Sequence, residues 1–443
     1  SERAVSHLTI PINIQERKLK GNYTRHKVPG HTSDIYNPLI MPDRKLIEKA
    51  ANILNSGERV VILAGQGALG AGEELIAVAE KLGSPIVKAL LGKAVIPDDN
   101  PYSIGGLGLL GTEPSTDAMS EADTLLMVGT SFPYIDYLPK PGQAKGIQID
   151  IKQEKIGVRY PVEVGLVGDS KLTLSVLLPL LRSKIDLGFL KSKQDAMKDW
   201  NNLLKERSSR TGDKPIKPQF IADIVSNELE DNAIISADSG TVTTWAARHI
   251  RVRKGMKFSV SGTLASMACG LPYAIAAQIA FPERQSIAFV GDGGLTMLMG
   301  EFATAVQYKL PIKVIVIKNN TLGMIRWEQM AFLGNPEFGV EFTPIDYVKF
   351  AEACGGKGYY VKEPDDVKST IHFALKENSP IIIEAHVDPF EPPMPPKTDL
   401  EYVNNLAKSF ARGQPYSGRI GLTLFRDKVH EVLKNIHSHA YDA

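Results

Sequence analysis

Cysteine is scarce in this chain: only Cys269 and Cys354 occur. Neither sits in a CxxC pair. That excludes a disulfide framework and a thiolate zinc site, and it suits a reducing cytoplasm. Long apolar runs are missing too. No stretch reaches the roughly 18 residues that a membrane-spanning helix needs, and no signal-peptide pattern opens the sequence. Charge bias is absent: 51 Lys and Arg stand against 50 Asp and Glu, a net charge of +1. Such a balance argues against nucleic acid as a partner and against an acidic disordered tail. Repeats and low-complexity blocks are also lacking. What remains is 443 residues, 43% of them hydrophobic, enough for two or three domains with proper cores.

From Met41 onward, helical and strand-like stretches alternate. RKLIEKAANIL (44–54) has helical spacing, RVVILAG (59–65) is a short apolar strand, and GEELIAVAEKLG (72–83) is a helix ending at Gly83. PIVKAL, DTLLMVG and AKGIQIDI read as further strands. A second alternating unit follows: QFIADIVSNEL (helix), AIISADSG (strand), LASMACGLPYAIAAQIA (helix), SIAFVGDGG (strand and turn), TMLMGEFATAVQYK (helix), then strands IKVIVIKNN and PIIIEAHV. Alternation of this kind predicts α/β architecture, two doubly wound parallel sheets covered on both faces. The expected divisions are 1–40, a first domain over 41–181, a charged helix-prone connection over 182–217, a second domain over 218–390, and a tail over 391–443. A strand-like run over His7–Ile14 precedes them.

One charge stands out. In VGDGG, an apolar strand runs into Asp292, held between glycines. The next strand ends at Lys318, and Asn319 follows. The two residues are 319 − 292 = 27 positions apart, about one βαβ crossover. A right-handed crossover places both strand ends on one edge of the sheet, where ligands of open α/β sheets bind. A carboxylate and an amide oxygen converging there suit Mg²⁺, which takes oxygen ligands and shares phosphates with its substrate. Gly291, Gly293 and Gly294 let backbone amides approach a phosphate. The spacing therefore predicts a Mg²⁺–diphosphate site. The alternative is a glycine turn whose aspartate caps the following helix.

VGDGG followed 27 positions later by NN resembles the binding motif of thiamine-diphosphate enzymes. The resemblance runs along nearly the whole chain, and is to the pyruvate oxidase and pyruvate:quinone dehydrogenase branch, next to acetolactate synthase. It implies Asp292, Asn319 and the Thr321 carbonyl as Mg²⁺ ligands. Ser239, Gly240 and Thr241 in SADSGTVTTWAARH would face the diphosphate, with Gly291, Gly293, Gly294, Thr321 and Gly323. SGTLASMACGLPYAIAA (261–277) resembles the stretch meeting the aminopyrimidine. There Gly262 and Thr263 would touch the cofactor, and Met267 would prop it in its bent form.

The first unit carries Gly65-x-Gly67-x-x-Gly70 between a strand and a helix. The acidic residue that a dinucleotide fold places about twenty positions on is absent, so this is not read as an NAD site. The resemblance implies FAD here instead. Its contacts would be Gly65, Gly67, Gly111, Thr112, Gly129, Thr130, Phe132, Asp150, Ile151, Gly168 and Asp169. Ile135 stands where the related oxidases carry an arginine, which removes one charged flavin contact. Related decarboxylases keep such a domain without flavin.

In NNTLGMIRWEQM, Glu328 stands four positions after Met324, where acetolactate synthases typically carry tryptophan. The resemblance thus favours an oxidase, with Met324 and Glu328 near the reacting centre, over a carboligase. It implies oxidative decarboxylation of pyruvate or another small 2-oxo acid to acetate or acetyl phosphate. The acceptor would be a quinone or oxygen, and the assembly a homo-oligomer, a dimer of dimers. The terminal KVHEVLKNIHSHAYDA is mildly amphipathic, consistent with at most peripheral membrane contact. The family has a third, N-terminal pyrimidine-binding domain whose glutamate activates the cofactor. SERAVSHLTIPINIQ resembles the end of that domain. On this reading the chain is an incomplete enzyme, inactive alone; a subunit completed by a partner and a non-catalytic cofactor-binding module are the alternatives.

Overall fold

The run VVILA forms strand β1 (Val60–Ala64), and all five residues are buried. Val60, Ile62 and Ala64 join one apolar cluster, while Val61 and Leu63 join another. That is the period-two pattern of a strand covered on both faces. Helices Arg44–Ser56 and Gly72–Leu82 supply Ile47, Leu54, Leu75 and Leu82 to the first cluster. Strands β2 (Ile86–Lys88), β3 (Ser103–Gly106), β4 (Thr124–Val128), β5 (Lys145–Asp150) and β6 (Val164–Val167) complete the sheet. Its order is β3-β2-β1-β4-β5-β6, parallel throughout. The computed structural model describes residues 7–18, 39–209, 212, 214–393, 395–397 and 400–425.

The second sheet contains β7 (Ile234–Ala237), β8 (Lys257–Ser259), β9 (Ser286–Gly291), β10 (Lys313–Lys318), β11 (Lys357–Val361) and β12 (Ile381–His386). Its order is β11-β12-β10-β9-β7-β8, again parallel. Ile287 and Phe289 of β9 face one core, Ala288 and Val290 the other. Val290 pairs with Val316 and Gly291 with Ile317. The residues after β9 and β10 therefore emerge side by side at one edge.

Three expectations are corrected. Among the described residues, no strand forms over His7–Ile14. Ile12–Gln15 is a single helical turn, and Leu8, Ile10, Ile12 and Ile14 are exposed. An isolated strand has no partner for its backbone groups. The helix expected from 264 starts only at Gly270 (Gly270–Ala280), and 296–309 is split into Asp292–Leu298 and Glu301–Gln307. The helix-prone connection over 182–217 does form a helix, the 21-residue Gly188–Ser208, packed against helices Glu113–Glu121 and Pro218–Glu228. Its Leu190 and Trp200 are buried. The tail segment 428–443 lies outside the described residues, as do 1–6 of the opening stretch.

Candidate cofactor site

Asp292 is 2% exposed at the carboxyl end of β9. Oδ1 accepts the Gly293 N–H at 3.0 Å. Oδ2 accepts the N–H groups of Asn319 at 3.1 Å and Asn320 at 2.6 Å. The crossover thus brings together the two residues that the spacing selected. Burial pushes this carboxyl up to about 6, while those amides pull it down. Among the described residues, no cationic side chain forms an ion pair with it, and backbone amides are its main polar contacts. A buried carboxylate without a counter-charge is costly, and a bound cation removes that cost.

The loop after β10 is built to present oxygens. Asn319 Oδ1 accepts the Thr321 N–H at 3.1 Å, and the Thr321 carbonyl accepts from Gly323 at 2.9 Å. Asn320 has φ of 56°, and its side-chain oxygen is buried with no partner among the described residues. An antiparallel bridge from Thr321 to Glu341 holds the loop from outside, with Leu322 N–H donating to Val340 O at 2.8 Å. Tyr347 supports it from inside, its hydroxyl donating to the Asp292 carbonyl at 3.0 Å. No group of three or more His, Cys, Asp or Glu able to hold a metal occurs among the described residues. One carboxylate, one amide oxygen and one carbonyl leave room for phosphate and water around Mg²⁺.

The diphosphate side fits as well. Gly240 has φ of 130°, a conformation open to glycine, and a Cβ there would meet nothing within 4 Å. It precedes helix Thr241–His249, and the first amides of a helix are ready donors to an anion. Gly291 is nearly as open; a Cβ would touch only Val242, at 3.9 Å. Gly323 packs by Thr241 and the Asn319 amide, so the two halves of the site touch. Gly293 and Gly294 differ. Their Cβ atoms would collide with Leu322 and with the Asp238 carboxylate, so both serve packing.

The remaining assignments spread outward. Gly262 and Thr263 are exposed and Met267 is half-buried, all in a loop where Ala265 has φ of 50° and Ala268 of 72°. Met324 is half-buried in the short helix Gly323–Trp327, and Glu328 is exposed where that helix widens into a π-turn, Glu328–Phe332. Asp238 was missed. It is fully buried one residue past β7, and burial raises its carboxyl above the usual range. Its sequence signal was a second aspartate at a strand end, in ADSG. Arg326 was also missed; it is buried, pairs with Glu337 and Glu341, and donates to the Pro389 carbonyl.

The residues assigned to FAD lie along the carboxyl edge of the first sheet, but they are engaged within the chain. A Cβ on Gly67 would approach Gly129 Cα at 2.8 Å, and one on Gly65 would meet Thr130 at 2.5 Å. Gly111 packs on the Gly106 carbonyl and Gly168 on Pro42. Thr112 and Asp169 cap the helices that follow them. Asp150 accepts from its own loop at Lys152 N–H, Phe132 is buried against Tyr134, and Ile151 is half exposed. Ile135 is exposed. Most of these groups are thus engaged with the chain itself.

Comparison with known proteins agrees with the second sheet. A family model described as thiamine pyrophosphate enzyme, C-terminal TPP binding domain, matches residues 238–385, and one described as the central domain matches 47–177. A putative thiamine pyrophosphate-containing protein YdaP of Bacillus subtilis (strain 168) is 40% identical over 410 residues, 92% of this chain and 69% of that protein. The chain belongs to the thiamine pyrophosphate enzyme family. Thiamine pyrophosphate and thiamine diphosphate are the same molecule. A probable acetolactate synthase large subunit of Methanocaldococcus jannaschii is 33% identical over 410 residues, 88% of this chain and 68% of the relative. The pyruvate oxidase of Lactiplantibacillus plantarum is 28% identical over 347 residues, 78% of this chain and 57% of the relative. This thiamine pyrophosphate family member therefore has relatives on both the oxidase and the synthase side. Among its described residues, no helix is long and apolar enough to cross a membrane.

Proposed function

We propose that this chain anchors Mg²⁺ and thiamine diphosphate for the decarboxylation of a small 2-oxo acid, with pyruvate the first substrate to test. The buried Asp292 carboxylate, joined to the Asn319–Asn320 amides with no ion-pair partner among the described residues, carries this reading. Asp292, Asn319 and the Thr321 carbonyl would hold the metal. The Gly240–Thr241 turn would receive the diphosphate, and the Met267 loop would flank the organic part. When bound, thiamine diphosphate supplies the electron sink for loss of CO₂. The chain's own part is to fix the anion, offset its charge through the metal and limit water around it.

Two outcomes for the two-carbon unit compete. Oxidation to acetate or acetyl phosphate, with FAD and then a quinone or oxygen as acceptor, is the reading that Glu328 supports. Carboligation as in acetolactate synthases is the alternative. One relative bears the name pyruvate oxidase and another acetolactate synthase. A homo-oligomer, with the activating glutamate supplied by a pyrimidine-binding domain, belongs to the same proposal.

The test is calorimetric titration of the protein with thiamine diphosphate, with and without Mg²⁺. Binding should require Mg²⁺, and Asp292→Ala should weaken it by about 100-fold. Metal-independent binding, or unchanged affinity in the variant, would refute the site. Visible absorption then separates the outcomes: a yellow protein bleached by pyruvate supports the oxidase, and a colourless protein that releases CO₂ supports a carboligase or a decarboxylase.

A further inference from the structure

Asp238 has no assigned role, yet it touches the turn after β7, the loop that carries Met267 and the turn after Asp292. Its Oδ1 accepts the Ser239 N–H at 2.8 Å, in the turn that would meet the diphosphate. The same atom lies 3.7 Å from Cys269 Sγ, and the amides of Cys269 and Ala268 also face the carboxylate. Its Oδ2 is buried with no partner among the described residues. A Cβ on Gly294 would stand 2.1 Å from that oxygen, so glycine in the turn after Asp292 makes room for it.

The loop over 261–269 needs such a clamp. Ala265 and Ala268 both hold left-handed backbone, with φ of 50° and 72°, on either side of Met267. Non-glycine residues stay in that region only where the surroundings over-determine them. One restraint is local: Ser261 Oγ accepts the Ser266 N–H at 3.0 Å. The other is Asp238, reaching across from a different strand. A carboxylate that merely ended β7 would have no need of Ala268, Cys269 or a glycine at 294.

We propose that Asp238 is the positioning residue that sets the shape of loop 261–269, and through it the seat of Met267 against the organic half of thiamine diphosphate. The cofactor part rests on the function proposed above; the clamp itself does not. Loop and turn are joined through one carboxylate, so loss of that group should separate recognition of the organic half from recognition of the diphosphate.

The experiment compares wild type, Asp238→Ala and Asp238→Asn in the full chain. Amide hydrogen exchange of the ligand-free proteins comes first. Asp238→Ala should speed exchange in 262–269 by about tenfold while helix Gly270–Ala280 stays protected, and Asp238→Asn, which keeps an acceptor oxygen, should restore it. Affinities for thiamine diphosphate and for inorganic diphosphate, each with Mg²⁺, come second. Asp238→Ala should weaken the former about tenfold and the latter less than about threefold. Equal loss of both ligands, or unchanged exchange in the loop, would overturn the proposal. If wild type binds neither ligand, the cofactor reading fails, while the exchange data still decide the clamp. Should Asp238→Ala fail to fold, Gly294→Ala, which displaces the carboxylate, should give the same loop-specific and thiamine-specific losses; unchanged exchange and affinity there would refute it.

Discussion

At the scale of single residues, glycine and buried charge divide the labour. Gly240 is open above its Cβ position and leaves space for a ligand, whereas Gly129 is closed. Gly129 has φ of 58°, and a Cβ there would stand 2.3 Å from the Gly67 carbonyl carbon. Gly142 has φ of 83° with nothing within 4 Å, so it isolates backbone strain from collision. Gly142→Ala should cost about 1 kcal/mol, and Gly129→Ala roughly 3 kcal/mol or more, because the two glycine turns cannot part without shifting β1 against β4. Urea unfolding midpoints of the two variants measure the difference. Equal midpoints would mean that the close approach of the turns carries no stability.

Among secondary-structure elements, the metal loop is a small strand-loop-helix assembly with supports on two sides. Tyr347, at the start of helix Tyr347–Ala353, is fully buried and bonds the Asp292 carbonyl. Burial and the nearby Asp292 and Glu384 raise its phenol far above the usual range, so it stays a hydroxyl donor. Tyr347→Phe should lower stability by about 1 kcal/mol and weaken Mg²⁺-dependent thiamine diphosphate binding several-fold, without changing the ring packing. Calorimetry and urea melts read both, and wild-type affinity in the variant would show that the hydroxyl does not steady the loop. Central elements of this kind were legible in the sequence. SIAFV and KVIVIK are long apolar runs with turn signals after them, and the crossover spacing fixed Asp292 beside Asn319. Edge strands were not. SIGG and KFS are three or four residues with little apolar content, and they are strands because β2 and β7 offer them an edge. Residues 264–269 are a loop rather than the expected helix for a related reason. Their Leu, Ala and Met favour a helix locally, but contacts from Asp238, remote in sequence, hold them elsewhere.

Across the whole molecule, the two sheets are joined by a polar seam. Lys93 Nζ donates to the Ala247 carbonyl at 2.9 Å, Asp98 accepts the Val252 N–H at 2.7 Å, and Arg248 reaches the Leu109 and Gly111 carbonyls. Burial pushes the Asp98 carboxyl up, but Lys88 and Lys93 outweigh it and hold it down at about 2. His249 is buried at this seam. Burial, then Arg248, Arg207 and Lys93, lower its imidazole to about 3. The folded ring thus stays neutral where the unfolded chain, with an ordinary histidine, takes a proton near 6.5. Between those two values the unfolded state binds more protons, so stability is full above pH 6.5 and falls as pH drops towards 3. From neutral pH to pH 5 this residue alone should remove about 2 kcal/mol. His249→Gln, which cannot titrate, should flatten that part of the profile, although its stability at neutral pH will also change with packing. Urea midpoints of both proteins across this range give the two slopes. Parallel slopes would show that His249 is not the group through which acid loosens the seam, and a wild-type slope of opposite sign would show that it is protonated in the folded protein.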